Sequence, residues 1–307
     1  MTPDRPLTHW LALAFLVVAW GSSFALTKIA VQSVAPIWMP AARITIAALI
    51  LIIAVKARGG VLPRGLHNWA WFLWLGATGT MLPFFLISWA SLHAPSSLVG
   101  ILMATNPLMV LVLVHLFLPD EPVRPRHVVG FAVGFIGAVL LIGPGALLSL
   151  DSAGLTLWAQ IAALGAALCY AVHNISARLS PDIDLLGKSV GTLAAMVPFA
   201  IGIAILTEPS GLLSATPEAL VSILILSVAP TGIATLVLFW LVNHAGARFL
   251  SMSNYLVPVF AALTGVTVMT EYLDAGDWAG LVMILTGILI SEGRLGRTAT
   301  PRRQSGG

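Results

Sequence analysis

Apolar residues run along this chain in stretches of about 20, long enough for a helix rising about 1.5 Å per residue to cross the roughly 30 Å hydrocarbon of a bilayer. Ten stretches can be read, over residues 10–30, 36–55, 69–92, 96–118, 128–148, 155–177, 185–206, 219–244, 249–270 and 278–291. Each is apolar on all faces and lacks the alternation over about ten residues that a membrane β-barrel requires, so each is expected to be a helix. Only His93-Ala94-Pro95 separates the third from the fourth stretch, and only residues 245–248 separate the eighth from the ninth. Both junctions predict tight helical hairpins. The tenth stretch is the shortest.

Composition makes a bilayer the required solvent: 58% of the 307 residues are hydrophobic and 9% charged, with a mean hydropathy of +0.98. The net charge of +3 and sequence pI of about 9.4 do not indicate a nucleic-acid partner, because the cations flank the spans. With the N-terminus in the cytoplasm, thirteen of the fifteen Lys and Arg fall on that side, among them Lys56, Arg58, Arg64, Arg124, Arg126, Lys188 and Arg248. The other two, Lys28 and Arg43, lie within or at the edge of spans one and two. The bias predicts both termini inside. Only Arg5 stands ahead of the first span, without a small-residue cleavage site, so an uncleaved anchor is expected.

The chain also resembles itself. Trp89, His93, Ala94 and Pro107 recur as Trp240, His244, Ala245 and Pro258, each pair 151 apart, and Glu121, Gly130 and Gly137 recur as Glu271, Gly280 and Gly287, 150 apart. Trp20-Gly21 and Lys28 correspond to Tyr170-Ala171 and Arg178 at the same offset of 150. Five spans per half is an odd number, so the second half must enter the membrane from the opposite side. The expected fold class is therefore an all-α polytopic membrane protein, with ten transmembrane helices as two inverted five-helix repeats. The repeats are placed at 8–148 and 154–292, followed by a basic cytoplasmic tail, 293–307, expected to be disordered.

These residues resemble the EamA-type ten-helix transporters of the drug/metabolite transporter superfamily. Trp20-Gly21-Ser22-Ser23-Phe24 with Lys28 is similar to the first-helix pattern of that family, and Arg43 matches an Arg common in its second helix. Leu118-Pro119-Asp120-Glu121 leading to Gly130 and Gly134 resembles the end of each EamA repeat. The chain departs from the pattern where Pro119-Asp120 replaces the usual Gly before Glu, and where Ser189 to Leu193 stand opposite Arg43 in the second half.

Chemistry-bearing residues are few inside the spans. All twelve Asp and Glu lie at or beyond span ends, so no central carboxylate serves as a proton carrier. Glu121 and Glu271 read as groups that cap or orient helix ends. Arg43 would be costly against lipid and should face the interior or snorkel outward, where it could gate or neutralise an anion; Lys28 reads as snorkelling. Trp20, Ser22 and Ser23 in span one, with Tyr170, His173 and Asn174 in span six, are candidates for the substrate path. Pro107 and Pro258 are hinge candidates, each removing an amide donor. Beside them Asn106, Asn254 and Tyr255 could bond the freed backbone or the solute. Gly130, Gly134 and Gly137, with Gly280 and Gly287, should allow close helix approach. Trp10, Trp38, Trp69, Trp71, Trp158 and Trp278 suit an interfacial belt.

The resemblance implies a secondary transporter that exports amino acids or related metabolites by alternating access. Its expected partners are a small-molecule solute and membrane lipids, with no nucleic acid, and its expected state is a monomer or weak dimer. The sole cysteine, Cys169, lies inside a span, so no thiolate metal site and no disulfide are expected, and no cofactor or catalytic residue is assigned. A multidrug or other-metabolite permease fits nearly as well. An intramembrane enzyme fits poorly, since His-Glu-x-x-His, paired intramembrane aspartates and Gly-x-Ser-x-Gly are all missing. Proton coupling, if used, would fall to His173, an interfacial carboxylate or the solute itself.

Overall fold

The computed structural model describes residues 6–57, 59, 65–117, 124–142 and 154–291. Arg58, Arg64, Glu121 and the tail 293–307 lie outside these residues. Among the described residues the chain forms helical rods, here α1 (Leu7–Ala30), α2 (Trp38–Ala57), α3 (Leu66–His93), α4 (Ser96–Phe117) and α5 (Pro125–Ile142). There follow α6 (Gly154–Leu179), α7 (Leu185–Thr207), α8 (Pro217–Ala245), α9 (Ser253–Thr267) and α10 (Ala275–Ser291). Seven of them, α1 to α4 and α6 to α8, are long and apolar enough to cross a membrane. The helices are apolar on buried and outward faces alike: Ile53, Phe135, Ile205 and Val282 are more than half exposed in the isolated chain. Such a surface requires lipid rather than water around it.

Helix ends follow local chemistry. Pro125 and Pro217 occupy first-turn positions where a missing N–H costs nothing. The Asp184 carboxylate accepts the Gly187 amide at 2.8 Å to start α7, and the Thr216 hydroxyl accepts the Ala219 amide at 3.3 Å in α8. The α3–α4 hairpin forms as the sequence predicts. The α8–α9 junction is less direct than predicted: Gly246 turns at φ +83°, one helical turn follows (Ala247–Leu250), and α9 restarts only at Ser253.

Two features break the regular hydrogen-bond ladder in ways that an apolar run does not announce. α3 and α8 each contain a π-helical turn near the middle, Ala77–Met81 and Ser227–Ile233, whose first residues are again 150 apart. α4 is interrupted at Ala104–Thr105, directly before Asn106 and Pro107. The equivalent positions in the second half lie within α9, and the interruption there falls at Ser251–Met252, one turn nearer the start. Pro258 thus sits inside a continuous helix, whereas Pro107 follows the break in α4.

The packing comes in corresponding sets. α1 packs on α8 and α9, while α6 packs on α3 and α4; α2 packs on α8, while α7 packs on α3; α2 meets α7, and α5 meets α10. The α5–α10 contact is made by glycines. A Cβ on Gly130 would lie 2.5 Å from the Gly287 carbonyl, and one on Gly287 would lie 2.5 Å from the Gly130 carbonyl. Gly137 and Gly280 repeat the relation at 2.8 and 2.9 Å. The small-residue ridges read in the two sequences face each other and bring the backbones together, leaving the remaining helices to enclose a cavity.

Candidate functional site

A cavity of about 630 Å³ lies among α1 to α4 and α6 to α9. It forms where regular helix gives way: Gly79 and Thr80 come from the π turn of α3, Pro230 and Thr231 from that of α8, and Asn106 and Pro107 follow the break in α4. π turns widen the backbone spiral and take carbonyls off the usual ladder, and side chains answer them here: the Leu75, Leu226 and Pro230 carbonyls accept from His173, Thr231 and Trp20. At the α6–α7 end the cavity reaches Leu185, the first residue of α7. At the other end Phe24 and Gly100 are lining residues, and beyond them lies the cluster of Lys28, Ala94 and Glu271.

The residues singled out in the sequence separate into two groups. Trp20, Ser23, Arg43, Asn106, Tyr170, His173, Asn174 and Asn254 line the cavity, as do Pro107 and Pro258. Ser22 and Tyr255 are not among the lining residues. Ser22 donates back to the Ala19 carbonyl of its own helix at 3.4 Å, and the Tyr255 ring packs against the core around Ala261 and Leu281. Each is one residue from a lining side chain, and a helix turns about 100° per residue, enough to move the face.

Trp20 donates its indole N–H to the Pro230 carbonyl at 3.1 Å, tying α1 to the π turn of α8. The other half has a counterpart. His173 Nδ1 lies 3.0 Å from the Leu75 carbonyl just before the π turn of α3. A carbonyl can only accept, so Nδ1 carries the hydrogen, and in the neutral ring Nε2 keeps the lone pair. The ring rests directly on Gly79, where any Cβ would collide with it. Asn106 donates to the Ala167 carbonyl of α6 at 2.9 Å rather than to backbone freed by Pro107.

Arg43 faces the interior. It is 6% exposed, and its guanidinium carbon stands 3.8 Å from the centroid of the Phe84 ring. Its Nη2 and Nε donate to the Thr231 hydroxyl at 3.1 and 3.4 Å, and that hydroxyl donates in turn to the Leu226 carbonyl at 2.7 Å. Neither Thr231 nor Phe84 stood out in the sequence, although Pro230-Thr231-Gly232 in mid-span is a signal of irregular backbone. Lys188, also in the lining, donates to Ser180 Oγ at 2.6 Å and to the Ala177 carbonyl at 3.3 Å. Among the described lining residues there is no Asp or Glu.

Glu271 has the capping role expected of it, reaching from the α9–α10 loop to another helix. One carboxylate oxygen accepts the Ser96 amide at 2.7 Å and the Ser96 hydroxyl at 2.9 Å, and the other accepts the Ser97 amide at 2.8 Å. These amides open α4 and have no acceptor within it. Burial pushes this carboxyl up, but the bonds from Ser97 and Ser96 together outweigh burial and hold it below the usual carboxylate range. Lys28 donates its Nζ to the Ala94 carbonyl in the α3–α4 junction at 3.0 Å, close enough to attract the Glu271 carboxylate. Glu121 is outside the described residues.

Comparison with known proteins agrees with this architecture. The sequence profile of the EamA-like transporter family matches residues 8–143 and again 157–292. The uncharacterized inner membrane transporter YedA of Escherichia coli is 26% identical over 291 residues, 92% of this chain and 90% of that protein. The aromatic amino acid exporter YddG of Ancylobacter novellus is 26% identical over 252 residues, 82% of this chain and 85% of its own. A probable terminal-alkyne amino-acid exporter of Streptantibioticus cattleyicolor is 25% identical over 302 residues, 95% and 97% of the two chains. A solved crystal structure superposes with a TM-score of 0.65 at 22% identity, covering 95% of this chain and all of the other, which speaks to the fold.

Proposed function

The chain belongs to the EamA-like transporter family and is a membrane transporter, and we propose that it exports amino acids or related small metabolites across the bacterial inner membrane by alternating access. The observation that carries this reading is the cavity itself. It is walled by the first helices of both sequence halves, by the two π turns, by the interrupted α4 and by the start of α9. Irregular backbone at membrane depth is tolerated where it lines a water-filled path, and solute sites of transporters lie at such repeat interfaces. The names of the two amino-acid exporters among the relatives support the solute class. The corresponding packing sets and the offset of 150 support two inverted five-helix repeats as the moving parts.

The family reading favours a transporter over an intramembrane enzyme. In this reading both termini and the loop after α2 are cytoplasmic, and the Glu271 loop is external. Labelling of single cysteines placed beside Arg58 and Asp274, in a Cys169-free background in intact cells, tests the orientation. Labelling from outside at Asp274 alone is expected, and external labelling beside Arg58 overturns it. Purified protein in vesicles of known orientation, loaded with a panel of labelled amino acids and metabolites, tests the function: solute-specific flux above empty vesicles is expected, and no flux for any member of the panel rejects the proposed solute class.

A further inference from the structure

The charges in the cavity wall are one-sided. Arg43 and Lys188 contribute two cations to the described lining, and no carboxylate answers them. Lys188 is held by Ser180 and Ala177 at the α7 end, whereas Arg43 is deep in the bundle with a single hydroxyl as its hydrogen-bond acceptor. A guanidinium has five N–H donors in a planar fork. Two of these converge on Thr231, and among the described residues no protein group accepts the others. The Phe84 ring below stabilises the positive charge through its π face but accepts no in-plane donor. A buried cation without a counter-ion is costly to maintain, and the open donors are those that match a carboxylate edge-on.

The surroundings extend the match. Tyr170, a lining residue, makes no hydrogen bond to protein through its hydroxyl among the described residues, and Asn174 and Asn254 also present unbonded amides to the cavity. The carbon framework of a solute would find Trp20, Phe24, Leu238 and Phe239 in the same wall.

We propose that Arg43 is the recognition site for the carboxylate of the solute, so that this cavity takes small organic acids and the acid end of zwitterions and rejects molecules that carry only a cation. The solute supplies the missing anion: its carboxylate completes the guanidinium fork, with Tyr170 as an additional donor, and its apolar part lies along Trp20 and the two phenylalanines. This deepens the transport reading and rests on it for the identity of the cavity as the solute path.

Binding tests it without flux. Purified protein is heated with increasing 3-phenylpropionate, phenylalanine or phenethylamine, and unfolding is read from the folded protein remaining in solution after each temperature step. The carboxylate-bearing ligands are expected to stabilise at concentrations about ten- to a hundredfold lower than the amine, the range for a hydrogen-bonded charge. R43Q is expected to remove that difference, and R43K, a point charge without the fork, to keep only part of it. If R43Q does not fold, R43K decides, and a carboxylate preference that it leaves undiminished overturns the proposal. Equal stabilisation by phenethylamine, a preference that survives R43Q, or no stabilisation by any carboxylate overturns the proposal. Carboxylate binding through Arg43 without vesicle flux would reject the transport reading and leave this site standing; flux that ignores solute charge would do the reverse.

Discussion

Removing the Glu271 carboxylate should loosen the junction between α4 and the α9–α10 loop by an amount the structure allows to be worked out. E271A deletes three hydrogen bonds, two of them to the orphan amides that start α4. Loss of a helix N-cap costs about 0.5–2 kcal/mol, and hydrogen bonds to a charged group about 1.5–3 kcal/mol each. The three share one partly exposed carboxylate and are not additive, so about 2 kcal/mol is expected, roughly a 30-fold shift toward the open or unfolded state. E271Q keeps one acceptor oxygen and should lose about half as much. Gly265 provides an internal control, because a Cβ there would lie 2.5 Å from a Glu271 carboxylate oxygen and 2.6 Å from Ser97 Cβ. G265A should therefore destabilise through the same contact, and the double variant should fall short of the sum of the singles. The folded protein remaining after heating reads the wild type and all four variants. Melting of E271A within error of the wild type, or full additivity with G265A, would refute the capping argument.

Three further outcomes are expected. The Glu271 carboxyl is depressed in the folded protein, so its stabilising contribution is present above the ordinary carboxylate range and lost as pH falls through the lower folded value; acid titration of melting should show this limb in the wild type and not in E271Q. Replacing Gly287 by Leu should cost about 3 kcal/mol or more and deplete folded protein, because the opposing Gly130 and Gly134 backbone cannot yield; Gly202, where an added Cβ would meet nothing within 4 Å, should accept the same change, as seen by yield after detergent extraction. H173Q keeps a polar group against Leu75 but cannot titrate, so flux that loses its response to an imposed pH gradient would assign proton coupling to His173, and an unchanged response would exclude it.

The parts legible in the sequence are those set by periodicity and residue size. Apolar runs gave the rods to within a few residues, and the fixed offset anticipated that Gly130 and Gly137 would be matched by Gly280 and Gly287, which meet directly. Hydrogen-bond register is different. Apolar side chains are compatible with either ladder, so the π turns at Ala77–Met81 and Ser227–Ile233 leave only a faint trace in Thr-Gly and Pro-Thr-Gly clusters. Partners far apart in the chain were equally hidden: Thr231 holds Arg43 from 188 positions away, and Ala94 captures Lys28 from 66. A basic residue near a span end looks the same whether it snorkels or bonds a neighbouring hairpin. Ser22 and Tyr255 show the remaining limit, since a span boundary uncertain by one residue rotates the predicted face by about 100°.

The two halves have the same pattern but not the same shape, and the difference bears on how the cavity would open. In the first half, the segment of α4 ahead of its break, Ser96–Met103, is eight residues long and buried through most of its length. Its second-half counterpart ahead of α9 is the single turn Ala247–Leu250. The longer segment is the one clasped by Glu271, at the end where the cavity stops short; the shorter one precedes Ser253, at the end the cavity reaches. On the alternating-access reading, exchange of shape between the halves moves the opening from one end to the other, and the break ahead of α9 must shift by about one helical turn. Such a shift leaves side chains on nearly the same face, so packing against α1 can be remade after the step. What opposes the exchange at the closed end is then the Glu271 clasp. A clasp worth about 2 kcal/mol lowers the population of the form open at that end about 30-fold, and a solute with a comparable preference for that form offsets it.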